Sequence, residues 1–580
     1  MTKTAGRRLG RMALLAVTCA VVAQGTALAA DPLRITQPVN ATKPDLSPGR
    51  TYAAPALAVN PDNPKLIVGG FIEFRARQCG LIRSTDGGAT WRILDSNPAI
   101  NTQPYCLANN SNIFHAPVAW GRNNTLYLTT HAWDETTRTQ TSVIVARSTN
   151  LGDSWTTVFA RDARTTKDAD QENDRPVTGL LVDRKSGSQD TVYVLYRRAF
   201  PNRTAPNAFP QHPVVAISRD GGRTFEEPVS AIGNLYQDAG IRQQGLSART
   251  TVAGSNTTTT VAGSKQATPD LLENFGASSN GQGITMDNDG NLYVTYMSEI
   301  ANVAGAPRAI IASKSADKGK TWTSFLARPF SYENAQNVRI AWTKGGGADG
   351  TLHIVWEWRR PATLNSYADV GYIRSTDGGR TWSEPKRIAD DDPNALHPKY
   401  IPELQVSPDG NRLDAVWWDF RDDPGIRGMD VYYAYSTDDG QTWSKNIRMT
   451  DQSIDRRYGV WANNFDQNSP PSLASTNSYA MVGWDDTRFS AGPDGVVQTN
   501  NPVLEGEGVG GGVQDIFIAS VQFKALGGGS SKAAKIVLAG VLGLLAVGLV
   551  LTLLAMSSRR KAGPATTSKA AKKQAPASIQ

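Results

Sequence analysis

The chain has 580 residues, long for one ordinary domain, and a formal net charge of +7. That charge sits at the ends: ten Lys and Arg residues lie in the first 11 and last 22 positions, and the chain between them stands at −3. Such a balance leaves no basic footprint for nucleic acid. The five histidines (His115, His131, His212, His353, His397) are scattered and pair with no acidic motif, so neither a metal site nor another cofactor is expected.

In chain order, Lys3, Arg7, Arg8 and Arg11 precede an apolar stretch over 12–22, which ends in Ala27-Leu28-Ala29. A basic start, a short apolar core and a small-x-small site predict a cleaved secretory signal over 1–29. Cys19 falls inside it, which leaves Cys79 and Cys106 in the exported chain. An oxidising compartment favours a Cys79–Cys106 disulfide, with two free thiols as the alternative.

Residues 30–524 read as repeats. Each unit has a β-rich run, a turn, a second run, and a strand leading into Ser-x-Asp-x-Gly-x-Thr-Trp. Unit one reads Ala56-Leu57-Ala58-Val59, the turn Asn60-Pro61-Asp62-Asn63, then Leu66-Ile67-Val68. The motif's Asp position is held by Asp86, Asn150, Asp220, Asp317, Asp377 and Asp438, in a worn second copy (Ser148, Asn150, Gly152, Ser154, Trp155) and five better ones. Successive copies start 64, 70, 97, 60 and 61 residues apart, so a unit is about 60 residues with an insertion, 229–277, in the third gap. Tyr479-Ala480-Met481-Val482-Gly483-Trp484 and Asp515-Ile516-Phe517-Ile518-Ala519 supply the second and third strands of a unit without a motif. Leu33-Arg34-Ile35-Thr36 is expected to add its outermost strand and close a ring. Residues 489–512 form a Gly-rich excursion.

The motif is the Asp box, or bacterial neuraminidase repeat, and the chain resembles the sialidase-like propeller families over most of 32–524. The expected fold is therefore all-β: an Asp-box β-propeller of seven blades, with six as the alternative. The box residues are structural, because Ser and Asp bond the amides of their own turn, Gly supplies a positive φ and Trp packs on the blade.

The second strands run into Phe74-Arg75, Tyr196-Arg197-Arg198, Trp358-Arg359, Trp418-Asp419-Phe420-Arg421 and Trp484-Asp485-Asp486-Thr487-Arg488. If the units are equivalent, Arg75, Arg197, Arg359, Arg421 and Arg488 emerge at similar heights around one end of the ring, as candidates for bidentate carboxylate binding. Arg175, in Glu172-Asn173-Asp174-Arg175-Pro176, joins them. The alternative is that each pairs with Glu73, Glu357, Asp419 or Asp485 and stacks on an aromatic ring. Sialidases carry an aromatic-Arg-Ile-Pro motif before the first box; the matching stretch is Tyr52-Ala53-Ala54-Pro55, with Ala53 in the arginine's place. The following loop, Arg75-Ala76-Arg77-Gln78-Cys79-Gly80, has no Asp for an acid/base, and Tyr458 is the nearest candidate for a nucleophile. No catalytic residue is assigned on this basis.

The chain ends with a Gly/Ser linker over 525–535, an uncharged apolar run over 536–556 and a tail, 557–580, with six basic and no acidic residues. Twenty-one residues at about 1.5 Å each cross a hydrocarbon core, and a basic tail marks the cytoplasmic side. The expectation is a single-pass plasma-membrane protein with its propeller outside. Its partner would be an anionic glycan or a surface protein, bound without turnover; a divergent exo-α-sialidase and an envelope assembly factor are the alternatives.

Overall fold

The computed structural model describes residues 34–43, 51–73, 78–94, 116–133, 141–162, 173–199, 211–235, 275–300, 308–330, 334–359, 368–395, 397–423, 425, 427–456, 458–459, 470–490 and 513–523. The chain divides into two units, 1–523 and 524–580. The second, with the linker, the apolar run and the tail, lies outside the described residues, as do the signal segment, Cys106 and Arg75. Among the described residues no helix is long and apolar enough to cross a membrane, and the one helical turn is Arg122–Asn124.

The first unit is all-β, with seven antiparallel blades arranged as a propeller. Blade 1 runs Tyr52–Val59, Ile67–Glu73, Gln78–Ser84, Arg92–Leu94 from the axis outward. Blade 5 repeats it as Asn334–Thr343, Thr351–Arg359, Ala368–Ser375, Lys386–Arg387, and blade 6 as Lys399–Val406, Leu413–Asp419, Gly428–Ser436, Ile447–Arg448. Blades 2 and 3 are linked by a single parallel pairing, Thr141 with Asn173. The insertion expected from 229 starts as ordered strand: Val229–Ser230 is the outer strand of blade 3, and Asn234–Leu235 adds in parallel to the outer edge of blade 4.

Alternation along the second strands decides where the core lies. Ile67 packs with Met481 and Ile516 of blade 7, while its neighbour Val68 packs with Leu126 and Leu128 of blade 2. Successive side chains thus face opposite seams, and the described apolar residues fall into seven clusters, one between each pair of adjacent blades. A second strand buried on both faces must be nearly continuous in apolar residues, as Leu413–Asp419 is.

Blade 7 has Ser472–Ser475, Tyr479–Asp486 and Asp515–Gln522 from the end of the chain and its outer strand from the beginning: Arg34 faces Gln522, Ile35 faces Val521 and Val39 faces Ile518. The ring closes as the repeats imply, with first and last segments in one sheet.

Every box joins a third strand to a fourth. In the first, the Asp86 carboxylate accepts from Ser84 Oγ at 2.7 Å, Thr90 N at 2.9 Å and Thr90 Oγ1 at 2.6 Å, and Gly88 N donates to Ser84 Oγ. Gly88 sits at φ +93°, a conformation costly for any residue with a Cβ. In the worn box Asn150 substitutes by chemistry: Oδ1 accepts from Ser154 N, and Nδ2 donates to Ser154 Oγ where an Asp would accept. Trp91, Trp155 and Trp382 each donate Nε1 to the carbonyl of their box glycine.

Candidate functional site

Because the strands are antiparallel, the boxes and the first-to-second-strand turns share one end of the ring. Gly87 N donates to Lys65 O and Gly221 N to Asp190 O at that end. The second strands finish at the other end, which therefore carries the arginines.

Register separates those arginines. Ile67, Val192, Leu352 and Leu413 each stand opposite their blade's box serine. Arg197 lies five residues beyond this reference, Arg359 seven, and Arg421 and Arg75 eight. Arg488 matches Arg421, since both follow a buried Trp and an Asp at the same offsets. Arg421 and Arg488 thus stand at one height, whereas Arg197 and Arg359 sit earlier along their strands; Arg75 lies outside the described residues. Arg197 is half-buried opposite Pro213. Arg175 lies in the innermost strand of blade 3, Asn173–Asp183, and its side chain is outside the description.

Arg421 and Arg488 make the same clamp twice. Trp417 Nε1 donates to Asp419 at 2.8 Å, and Arg421 meets that carboxylate through Nη2 at 2.7 Å and Nε at 3.0 Å. Its Nη1 then crosses to Asp390 of blade 5 at 2.7 Å, and its guanidinium stacks over Tyr432. In blade 7, Trp484 Nε1 and Arg488 both bind Asp486, Arg488 Nη2 reaches Asp451 of blade 6 at 2.7 Å, and the guanidinium lies over Phe517. Burial pulls both guanidinium pKa values down, but the carboxylates outweigh it and raise them. The same Arg488 contact is the main reason the Asp451 carboxyl lies below its ordinary range. Arg359 Nε bonds Glu357 at 2.6 Å. Pairing with a nearby carboxylate therefore describes all three, with one correction: Arg488 takes Asp486, not Asp485.

Asp485 and Glu357 have another task. Ala54, Asn337 and Ile401 adopt φ of 55°, 50° and 50° at matching bulges in the innermost strands of blades 1, 5 and 6. For a β-branched Ile this is a strained backbone that its surroundings must hold. Asp485 accepts from Ala54 N at 3.0 Å, and buried Glu357 accepts from Ile401 N at 3.2 Å and from Asn337 Nδ2 at 2.9 Å. Nothing in the residue types of Tyr52-Ala53-Ala54-Pro55 or Lys399-Tyr400-Ile401-Pro402 signals this; only the Pro after each bulge residue is a trace of it. Ala53, expected from the sequence to stand in the place of the sialidase arginine, is fully buried. Cys79 is buried and disulfide-bonded. Tyr458 closes a turn on Asp455 O.

On the axis, a cavity of about 210 Å³ is lined by a short segment of the innermost strand from each of the seven blades. One layer is apolar throughout: Leu57, Val118, Leu180, Ile284, Ile340, Leu404 and Leu473. The neighbouring layer is Ala56, Pro117, Gly179, Gly283, Arg339, Glu403 and Ser472. At Gly283 an added Cβ would fall 2.7 Å from Ile340 N, so the strands approach too closely there for a side chain. In this small-residue layer Arg339 and Glu403, from adjacent blades, form an ion pair at 2.6 Å. Burial raises the Glu403 carboxyl pKa, and Arg339 only partly offsets it. None of the described predicted arginines, Arg197, Arg359, Arg421 and Arg488, is among the residues that line this cavity. Arg339 and Glu403 were not legible as a pair, because they lie 64 residues apart and neither sits in a motif. Among the described residues no group of three or more His, Cys, Asp or Glu side chains is arranged to hold a metal ion.

The sequence model of the BNR/Asp-box repeat matches residues 434–445, the end of the third strand and the box of blade 6. With six boxes on six of seven blades, the chain is an Asp-box β-propeller. No curated protein matches it. Among solved structures it is similar to a protein of unknown function from Dyadobacter fermentans DSM 18053, at 12% identity over 85% of this chain and 99% of that one, TM-score 0.43. The Hadza microbial sialidase Hz136 is 15% identical over 79% of this chain and 74% of its own, TM-score 0.41. The polysaccharide lyase Uly1 is 9% identical over 81% and 90%, TM-score 0.44. Likeness at this level carries no argument about chemistry.

Proposed function

We propose that the chain is an exported, membrane-anchored propeller that binds a glycan or protein partner at the ring and does not hydrolyse sialosides. The observation that carries this reading is the state of the arginines. Holding a sialic-acid carboxylate needs guanidinium donors directed at the ligand. Here Arg421 and Arg488 already serve buried aspartates of their own blade and a second carboxylate of the preceding blade, and buried Ala53 stands where the sialidase motif has its arginine. Losing a general acid or base costs about 10²–10⁴ in rate, and the loop after the first-blade second strand offers no acid. The purified full chain should give no turnover of a fluorogenic α-sialoside above a heat-denatured control. Turnover near that of a true sialidase, abolished by Arg421→Ala in protein shown to be folded, establishes the enzyme reading instead.

The signal pattern over 1–29 and the uncharged 21-residue run over 536–556 support export with one anchor. A chain ending at residue 531 should leave the membrane fraction and appear soluble outside the cell. Retention of that truncation in membranes refutes the anchor.

A further inference from the structure

The axial cavity contains a charged pair whose hydrogen-bonding capacity is only partly used. Arg339 gives Nε to Glu403 Oε1 at 2.6 Å and Nη1 to Val338 O at 3.3 Å. Its Nη2 and the second carboxylate oxygen, Glu403 Oε2, bond nothing among the described residues. The Arg339 side chain is only 8% exposed and that of Glu403 20%. Neither atom is among the buried unsatisfied ones, so both present an open donor and acceptor to whatever occupies the cavity.

Size and charge then narrow what fits. At about 30 Å³ per water, a cavity of about 210 Å³ holds roughly seven waters, and it falls below the roughly 300 Å³ at which drug-sized pockets begin. That suits one small ring. The pair is neutral as a whole, so an anion meets Glu403 and a cation meets Arg339, each at short range in a place poorly screened by solvent. A neutral ligand with adjacent hydroxyls suffers neither penalty: one hydroxyl donates to Oε2 while its neighbour accepts from Nη2. Leu57, Val118, Leu180 and Ile284 also line the cavity, while their side chains pack into the seams between blades.

We propose that the axial cavity binds one neutral polyhydroxylated ring, the terminal monosaccharide of an uncharged glycan, through Arg339 Nη2 and Glu403 Oε2. The assignment rests on the reading of the chain as a binding propeller and gives that reading a ligand class, distinct from the acidic sugars of sialidases.

The test is saturation-transfer NMR on the full chain in detergent micelles. The probes are the methyl glycosides of galactose, glucose, mannose, arabinose and N-acetylglucosamine, with N-acetylneuraminic acid as the charged comparison. At least one neutral glycoside should bind, and Glu403→Gln should weaken it at least tenfold, the usual effect of impairing a hydrogen bond to a charged group. The double variant Arg339→Met/Glu403→Leu removes both charges at similar volume, an exchange that folds commonly tolerate; it should keep its circular-dichroism spectrum and lose the signal. Three results overturn the proposal: no neutral glycoside binds, binding survives the double variant, or only N-acetylneuraminic acid binds and Glu403→Gln tightens it. The first two leave the absence of sialoside turnover intact, whereas turnover sinks the functional reading without touching binding at the axis.

Discussion

Asp317 illustrates how a box carboxylate stabilises a turn it does not extend beyond. Its Oδ1 accepts from Ser315 Oγ and the amides of Lys320 and Thr321, and its Oδ2 from Thr321 Oγ1 at 2.5 Å. Burial raises its pKa, but the Thr321 hydroxyl and these amides outweigh it and hold the carboxyl at about 2; Asp220 behaves alike, and Asp86 reaches about 2 chiefly through Thr90. A folded pKa below the unfolded value near 3.9 gives stability that is fully present above about pH 4 and lost as pH falls toward 2. The urea midpoint should therefore drop over that window. Asp317→Ala should cost about 1–2 kcal/mol at pH 7. Asp317→Asn should cost less, because Asn150 already fills this place in the second box. An Asn variant as damaging as Ala removes the case for interchangeable acceptors.

At the scale of the strand, the Trp-x-Asp-x-Arg run couples one blade to the one before it. Arg421→Ala would leave Asp419, fully buried, with Trp417 Nε1 and the Arg421 main-chain amide as its donors. Removing one partner of a buried pair costs about 3–5 kcal/mol, so guanidinium-induced unfolding should shift by about that amount. Asp390→Ala, which loses a 42%-exposed carboxylate that accepts from Arg421 and from Asn446 N, should cost about 1 kcal/mol, less than Arg421→Ala. Equal effects from the two variants would show that the inter-blade arm, not the intra-blade aspartate, dominates. The blades were legible because each needs the same run of residues in the same order. Site geometry was less so. The arginines read as equivalent from their aromatic neighbours, but a shift of one residue along a strand turns a side chain to the opposite seam, and only the register against the box serine reveals Arg197 and Arg359 as displaced. The bulges at Ala54 and Ile401 were hidden for a related reason: beyond the Pro that follows each, positive φ in a non-glycine residue leaves no compositional mark.

For the whole molecule, closure depends on a contact spanning almost the full sequence. Thr36 and Ser520, 484 residues apart, exchange hydrogen bonds: Thr36 N donates to Ser520 O and Ser520 N to Thr36 Oγ1, both at 2.9 Å. Thr42 Oγ1 meets the buried Asp515 carboxylate at 2.9 Å and accepts from Ile516 N, and Ala41 N donates to Ile516 O. Among the described residues blade 7 has no box and no fourth strand of its own, and this segment covers the edge of Asp515–Gln522. Contacts of such separation form late and slowly, and until they form the edge is open to pairing with other chains. Deleting residues 34–43 should therefore lower the unfolding midpoint, broaden the transition and promote aggregation. A synthetic peptide of residues 34–43, added during refolding, should restore part of the lost midpoint by pairing along the same edge. The rescue separates closure from general damage: a peptide with Thr36 and Thr42 replaced by Val keeps its strand propensity but loses the hydroxyls that bond Ser520, Asp515 and Ile516, and should rescue less. If deletion leaves the midpoint unchanged, the seams between blades hold the ring without its clasp.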